Sequence, residues 1–303
     1  ARLGPARNAI TVRKNGADPN YNGGQLEVSR RFTHGLFCRA SYVYSKDLDD
    51  ASEVFSIFSN PQTSYQANLG RIAQDYGNSA WDRRHVASFE YVYSPPGFHS
   101  SNPTADLLLG ALTRNFILSG TTQLATGPYS DIQILGVDTN NDLNPVNDRP
   151  LVGNPHKPVS TAAVSGALLA SLGVPGVTPG AYYDMAAFND PNGDLVVDMP
   201  DQVRYLIPYG SQYTTQEVGR DTFENPGQAF WNMALEKDIP AGFKHFDSGR
   251  FILRVECQNV GNHNNVSILD TNLLDIGTPA FLNKSAAREG TNQSFRLWAK
   301  YAF

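Results

Sequence analysis

Long apolar runs are missing from this sequence, and that absence excludes a helical membrane protein. Nothing approaches the run of about 18 apolar residues that a membrane helix needs. The most apolar stretch, Thr161 to Val177, is broken by Ser165, Gly166, Ser171, Gly173 and Pro175. It reads as a short surface helix over residues 161–172 followed by a turn. Basic runs are missing too: with a net charge of −5 and no Lys/Arg stripe, nucleic acid is not an expected partner. Cysteine is scarce, and Cys38 and Cys257 have neither metal-ligand nor disulfide-framework spacing. An initiator methionine and a leader pattern are both absent at Ala1, which predicts a processed product or an excised piece.

What the sequence does have is two-residue alternation, and it runs to the last residue. Phe295, Leu297, Ala299, Tyr301 and Phe303 are apolar, with Ser294, Arg296 and Lys300 between them. The same pattern places Leu26, Val28 and Phe32 opposite Gln25, Glu27, Ser29 and Arg31, with Arg30 as an intruder. After Thr33-His34-Gly35 it sets Leu36, Cys38, Ala40, Tyr42 and Tyr44 against Arg39, Ser41 and Ser45. Arg83 to Tyr93, Arg114 to Thr126, Gln228 to Ile239 and Arg250 to Val260 alternate likewise, and Ala6 to Lys14 does so more weakly. Each segment is near the 9–11 residues of a tilted transmembrane strand. The fold class is all-β: an antiparallel transmembrane barrel portion of about eight strands.

The connections sort by length. Thr33 to Gly35, Ser94 to Leu112 and Pro240 to Gly249 are short, whereas Asp47 to Asp82, Gly127 to Gly227 and Gly261 to Thr291 are long. Short turns alternating with long loops are the asymmetry of outer-membrane barrels. They imply a bacterial outer-membrane location, a periplasmic carboxyl terminus and lipid as one partner. Tyr42, Tyr44, Tyr91, Tyr93, Tyr301 and Trp231 suit interfacial girdles. Cys38 and Cys257 are expected as free, lipid-facing thiols at opposite membrane levels, given a rise of about 3.3 Å per residue.

Several ordered pieces carry a family resemblance. They are Asn22 to Phe32, Gly35 to Lys46 with Asp49-Asp50-Ala51-Ser52, Asp82-Arg83-Arg84-His85, and Leu108 to Gly127 running into Pro128-Tyr129. Asp148-Arg149-Pro150, Gly219-Arg220-Asp221, Asn225-Pro226-Gly227, Arg254-Val255-Glu256 leading to Asn259, and Asn262-His263-Asn264-Asn265 follow. Together they resemble the barrel of TonB-dependent receptors of the Oar-like class. The resemblance implies that residues 1–303 are a carboxyl-terminal barrel segment of a protein that takes up an extracellular substrate. It implies as partners a plug, the remaining barrel strands and the TonB energy-coupling complex, all engaged through sequence not present here.

Catalytic constellations are lacking, so no enzyme is expected. Asp82, Arg83, Arg84 and His85 have no nucleophile beside them and read as charges pairing across neighbouring strands where a strand begins. His34, His99, His245 and His263 lack ligand spacing. Two oxygen-rich segments, Asp138, Asn140, Asp142 and Asn144, and Asp190, Asn192, Asp194 and Asp198, resemble halves of calcium loops; polar Asx turns are the competing reading. Two other functions remain open from sequence. One is a non-transporting surface barrel used in adhesion or matrix assembly. The other is a soluble carbohydrate-binding β domain with Tyr182, Tyr183, Tyr205, Tyr209 and Tyr213 as a platform.

Overall fold

The computed structural model describes residues 18–52, 75–132, 134, 139, 148–184, 196–210, 217–241, 249–266 and 292–302. The alternating segments pair into one antiparallel meander of β1 (Asn20–Thr33), β2 (Leu36–Asp49), β3 (His85–Tyr93), β4 (Phe116–Ala125), β5 (Gln228–Pro240), β6 (Arg250–Gln258) and β7 (Ser294–Ala302). A two-residue strand, Gly77–Asn78, extends the sheet beside the end of β2. Among the described residues β1 and β7 do not pair with each other, so the sheet is open. The alternating segment Ala6 to Lys14 lies outside the described residues, as does Phe303.

Register turns the alternation into two chemically distinct faces. One row across the sheet runs Leu36, Tyr93, Leu118, Leu235, Val255 and Leu297. The opposite face carries rows such as Arg39, Glu90, Thr121 and Asn232. Arg254 on that face pairs with Glu236 at 3.2 Å and Glu256 at 2.7 Å, and Arg39 with Glu27 at 3.5 Å. The apolar face is uncovered: Leu297 is 81% exposed, and Leu26, Val28, Leu253 and Val255 are exposed as well. A water-soluble sheet would leave that much contiguous apolar surface unburied, against the hydrophobic effect.

Two details depart from simple alternation. The β1–β2 register shifts between Arg30 and Thr33, a bulge that gives β1 one extra residue. Phe32 therefore leaves the face of Leu26 and Val28, where the pattern puts it, and stacks on Phe37 at 5.7 Å. Cys38 and Cys257 are free and lie on one row, Cys38, Tyr91, Gly120, Met233 and Cys257. Any difference in their membrane level thus comes from strand tilt acting across the sheet, not from their positions along the strands.

The β1–β2 turn is closed by His34 (φ 54°) and Gly35 (φ 75°), the left-handed pair that a two-residue hairpin matching the strand twist requires. This turn shares the "turn end" of the sheet with residues 94–115 and 241–249, while connections 50–84, 126–227 and 259–293 share the "loop end". Residues 94–115 are more than a connection. They include α1 (Pro103–Thr113), begun by Asn102, whose side chain accepts from the amides of Thr104 and Ala105, with Pro103 fixing the first turn.

The longest connection is folded. Strands 197–198, 182–184, 162–165, 205–207 and 151–152 form a second sheet in that order, with 162–165 parallel to 205–207. The helix expected at 161–172 is shorter, Gly166–Ser171, because residues 162–165 are drawn into this sheet. Ile132, Ile134, Val164, Leu168, Leu169, Tyr183, Tyr205, Ile207 and Val218 make its core. At its root Tyr129–Ser130 pairs with Phe223–Glu224, and there is no space beside Gly127, where an added Cβ would lie 1.8 Å from the Asn225 carbonyl oxygen. Gly127→Ala is expected to spread this root at a cost of about 1–3 kcal/mol. The check is faster hydrogen exchange at the Asn225 amide, which donates to the Pro128 carbonyl at 2.9 Å.

Candidate functional site at the loop end of the sheet

Five chain segments meet where the folded connection joins the main sheet. The Arg220 side chain, fully buried, pairs with the Asp49 carboxylate at the end of β2 and donates to the Asp49 carbonyl (3.1 Å) and to Ser52 Oγ (2.7 Å). Arg149 pairs with Asp75 at 2.9 Å and Asp131 at 3.4 Å. Asp131 in turn accepts the Asp221 amide at 2.6 Å, and Asn78 donates to the Asp221 carbonyl at 3.0 Å. Gly77 makes this approach possible, since a Cβ there would meet the Arg220 carbonyl oxygen at 2.5 Å. Burial opposes the charge on Arg149, but Asp131 and Asp75 outweigh it and hold the guanidinium above its ordinary range.

The carboxylates outnumber the guanidinium groups, and Asp221 is where the imbalance falls. Its two carboxylate oxygens are buried without a hydrogen-bond donor, and Arg220 lies 3.5 Å away. Burial first, then the charge of Asp131, pushes this carboxyl well above its ordinary range. An aspartate in the unfolded chain ionises near about pH 3.9, so above that pH the folded state keeps a proton that the unfolded state has released. The stability contributed here is full below the unfolded value and declines as pH rises toward the folded one. Asp221→Asn keeps the shape and tolerates the residue's φ of 49°. It is expected to abolish that decline, measured as the protection of residues 218–225 against hydrogen exchange at about pH 5 and about pH 8.

Neighbouring polar side chains complete the seam. Arg84 pairs with the buried Asp82 at 2.8 Å, Arg83 donates to the Thr126 carbonyl, and His85 Nδ1 lies 2.7 Å from Tyr42 Oη. The ion pair is within one segment, whereas Arg83 and His85 reach neighbouring segments by hydrogen bonds to an uncharged carbonyl and a hydroxyl, so these contacts are not the charge pairs across strands expected from the sequence. Asn265 receives the Ala229 amide (2.7 Å) and donates to its carbonyl (3.0 Å), taking the place of a strand residue beside the start of β5. Asn225 donates to Pro128 O and Ser130 Oγ. Asp75 and Asp131 belong to none of the motif pieces, and no sequence signal marks them. Arg149, Arg220 and Asp221 do lie in such pieces, but nothing in the sequence shows that they meet.

The remaining sequence expectations fare differently. Asp138, Asn140, Asp142, Asn144, Asp190, Asn192 and Asp194 lie outside the described residues. Asp198 is described, on the edge strand opposite Tyr182, with its carboxyl pushed up by burial and by Asp184. Among the described residues no group of three or more His, Cys, Asp or Glu is placed to hold a metal. Among the described tyrosines of the expected platform, Tyr183 and Tyr205 are core residues, and Tyr182 and Tyr209, partly buried, pack against the core of the folded connection; Tyr213 is outside the described residues.

A family model described as an outer membrane beta barrel domain matches residues 1–295. The chain belongs to that family. Comparison with curated proteins and with solved structures finds no match. Membership in the outer-membrane β-barrel family gives the two faces of the sheet their meaning. The uncovered apolar face is the lipid wall, and the face of Glu27, Arg39, Glu90, Arg254, Glu256 and Arg296 is the inner wall. Arg30, on the lipid side opposite Cys38, stands close to the turn end, where a long cationic side chain reaches headgroups. Paired rings mark both ends of the barrel wall: Tyr42 and Tyr44 against His85 at the loop end, and Phe251 against Tyr301, 4.8 Å apart, at the turn end.

Proposed function

We propose that this outer-membrane barrel is the carboxyl-terminal portion of a TonB-dependent receptor of the Oar-like class, a binding and uptake protein and not an enzyme. The observation that supports the class is the convergence of its ordered motif pieces. Asp49-Asp50, Asp148-Arg149, Gly219-Arg220-Asp221 and Asn225, far apart in sequence, make a single buried seam at the loop end. In such a receptor this chain supplies inner wall and external loops, with the loop end outside the cell and Phe303 at the periplasmic face. A plug, the coupling segment and further strands would come from preceding sequence. The inner wall offers a suitable polar surface: a depression of about 480 Å³ lined by Glu90, Thr121, Asn232, Arg254, Glu256 and Gln258. Charges of both signs there favour polar solutes over greasy ones.

The test is made in the producing bacterium with the full-length protein. Depletion of small solutes from defined medium is compared between the parent strain, a strain lacking this protein and a strain lacking TonB. Uptake predicts that the same solutes remain unconsumed in both mutants. If every solute is consumed normally while surface attachment or matrix formation fails, the adhesion reading replaces uptake.

A further inference from the structure

Helix α1 presents a surface that the barrel itself does not use. Leu107, Leu108 and Leu112 are 70%, 60% and 69% exposed, and Leu109 is exposed beside them. Gly110 is the one residue of the helix that is buried. No charged residue lies between Leu107 and Thr113. The charges nearby are turned toward one another: Asp106 pairs with Arg114, and Arg114 also donates to the Phe98 carbonyl at 3.1 Å. Burying four leucines would ordinarily drive such a helix onto a core. Among the described residues it meets none.

Lys237 shows on which side of the wall the helix lies. It shares a row with Phe116 and Leu253 on the lipid face, and its ammonium sits 4.2 Å from the centre of the Phe116 ring. From there it donates to the carbonyls of Ala111 (2.7 Å) and Arg114, the acceptors left open at the helix's carboxyl end. A side chain projecting from the lipid wall therefore holds the last turn of α1. The carboxyl end of α1 thus lies on the lipid side of the sheet, at its turn end.

We propose that α1 is an interfacial anchor, docking its leucine surface into the headgroup–acyl boundary of the leaflet at the turn end. The occupant is lipid because the helix is tied to the lipid-facing wall through Lys237, is apolar on almost every side and keeps its charges turned toward one another. That is how a short helix lies in the interface plane without spanning. Its length of about 16 Å is enough for this and far too short to cross. The proposal rests on the barrel family alone and is independent of uptake.

The experiment uses the full chain in lipid bilayers, with Cys38 and Cys257 replaced by alanine. A fluorophore is attached to a single cysteine at position 107, 108 or 112, and at Ser101, outside the helix, as the reference. Nitroxide groups carried near the headgroup end of the acyl chains should quench the three helix positions and leave Ser101 bright, whereas aqueous iodide should do the reverse. Leu108→Cys and Leu112→Cys replace exposed side chains, so folding is preserved. Iodide quenching of the helix positions would overturn the proposal, since the surface would then be in water. Protection from both quenchers would overturn it too, because a protein partner would then cover α1.

Discussion

Replacing Arg220 with leucine is expected to release the folded connection from the main sheet, at a cost of about 3–5 kcal/mol. The Arg220 side chain is fully buried against the Asp49 carboxylate, Ser52 and Asp221, and its removal leaves the largely buried Asp49 carboxylate without its cation. That penalty exceeds the worth of the pair itself, which replaced as a whole is often close to neutral. Arg220→Leu combined with Asp49→Asn should therefore recover a substantial part of the loss. Limited proteolysis of residues 127–227 reads the effect. Cleavage should rise steeply in the single variant and fall back in the double, while β1 to β7 stay protected. Equal cleavage in the parent and Arg220→Leu would mean that the seam does not hold the connection.

The second large effect belongs to the wall. Val255, in the middle of β6, stands between Leu235 and Leu297 on the lipid face. Val255→Arg places a cation near the bilayer midplane and should cost about 2–4 kcal/mol in reversible unfolding from lipid. On the inner wall Thr121 stands between Glu90 and Asn232. There Thr121→Arg meets water and a carboxylate, and its cost should be close to zero. The contrast between two neutral-to-cationic substitutions on opposite faces of the wall tests the solvent each face meets.

The wall was legible in the sequence because a two-faced strand records its environment at every residue. Leu36 to Lys46 and Gln228 to Ile239 are found almost where the alternation puts them, as Leu36–Asp49 and Gln228–Pro240. Pairing then lengthens strands past the alternation: Asn20 to Gly24 has no pattern of its own but is zipped to residues 44–48 of β2. Phe32 was misplaced because an inserted residue shows itself only against a partner strand. The folded connection was hidden for a different reason. Strands of two to four residues, such as Leu151–Val152 and Ala162–Ser165, are too short for a period to be read. Helix α1 did carry a signal, Asn102-Pro103 ahead of Ala105 and Asp106, overshadowed by its position in a short connection. The buried seam could not be read at all, because its charges come from five separate segments and only the fold brings them together.

The central claim is that one face of this sheet meets lipid and the other meets water. Single nitroxide labels placed successively from Phe251 to Glu256, in the protein assembled in bilayers, measure it directly. Collision with dissolved oxygen should dominate at 251, 253 and 255, and collision with a water-soluble nickel chelate at 252, 254 and 256, in strict alternation. A reversed phase, or nickel contact at all six positions, would contradict the account.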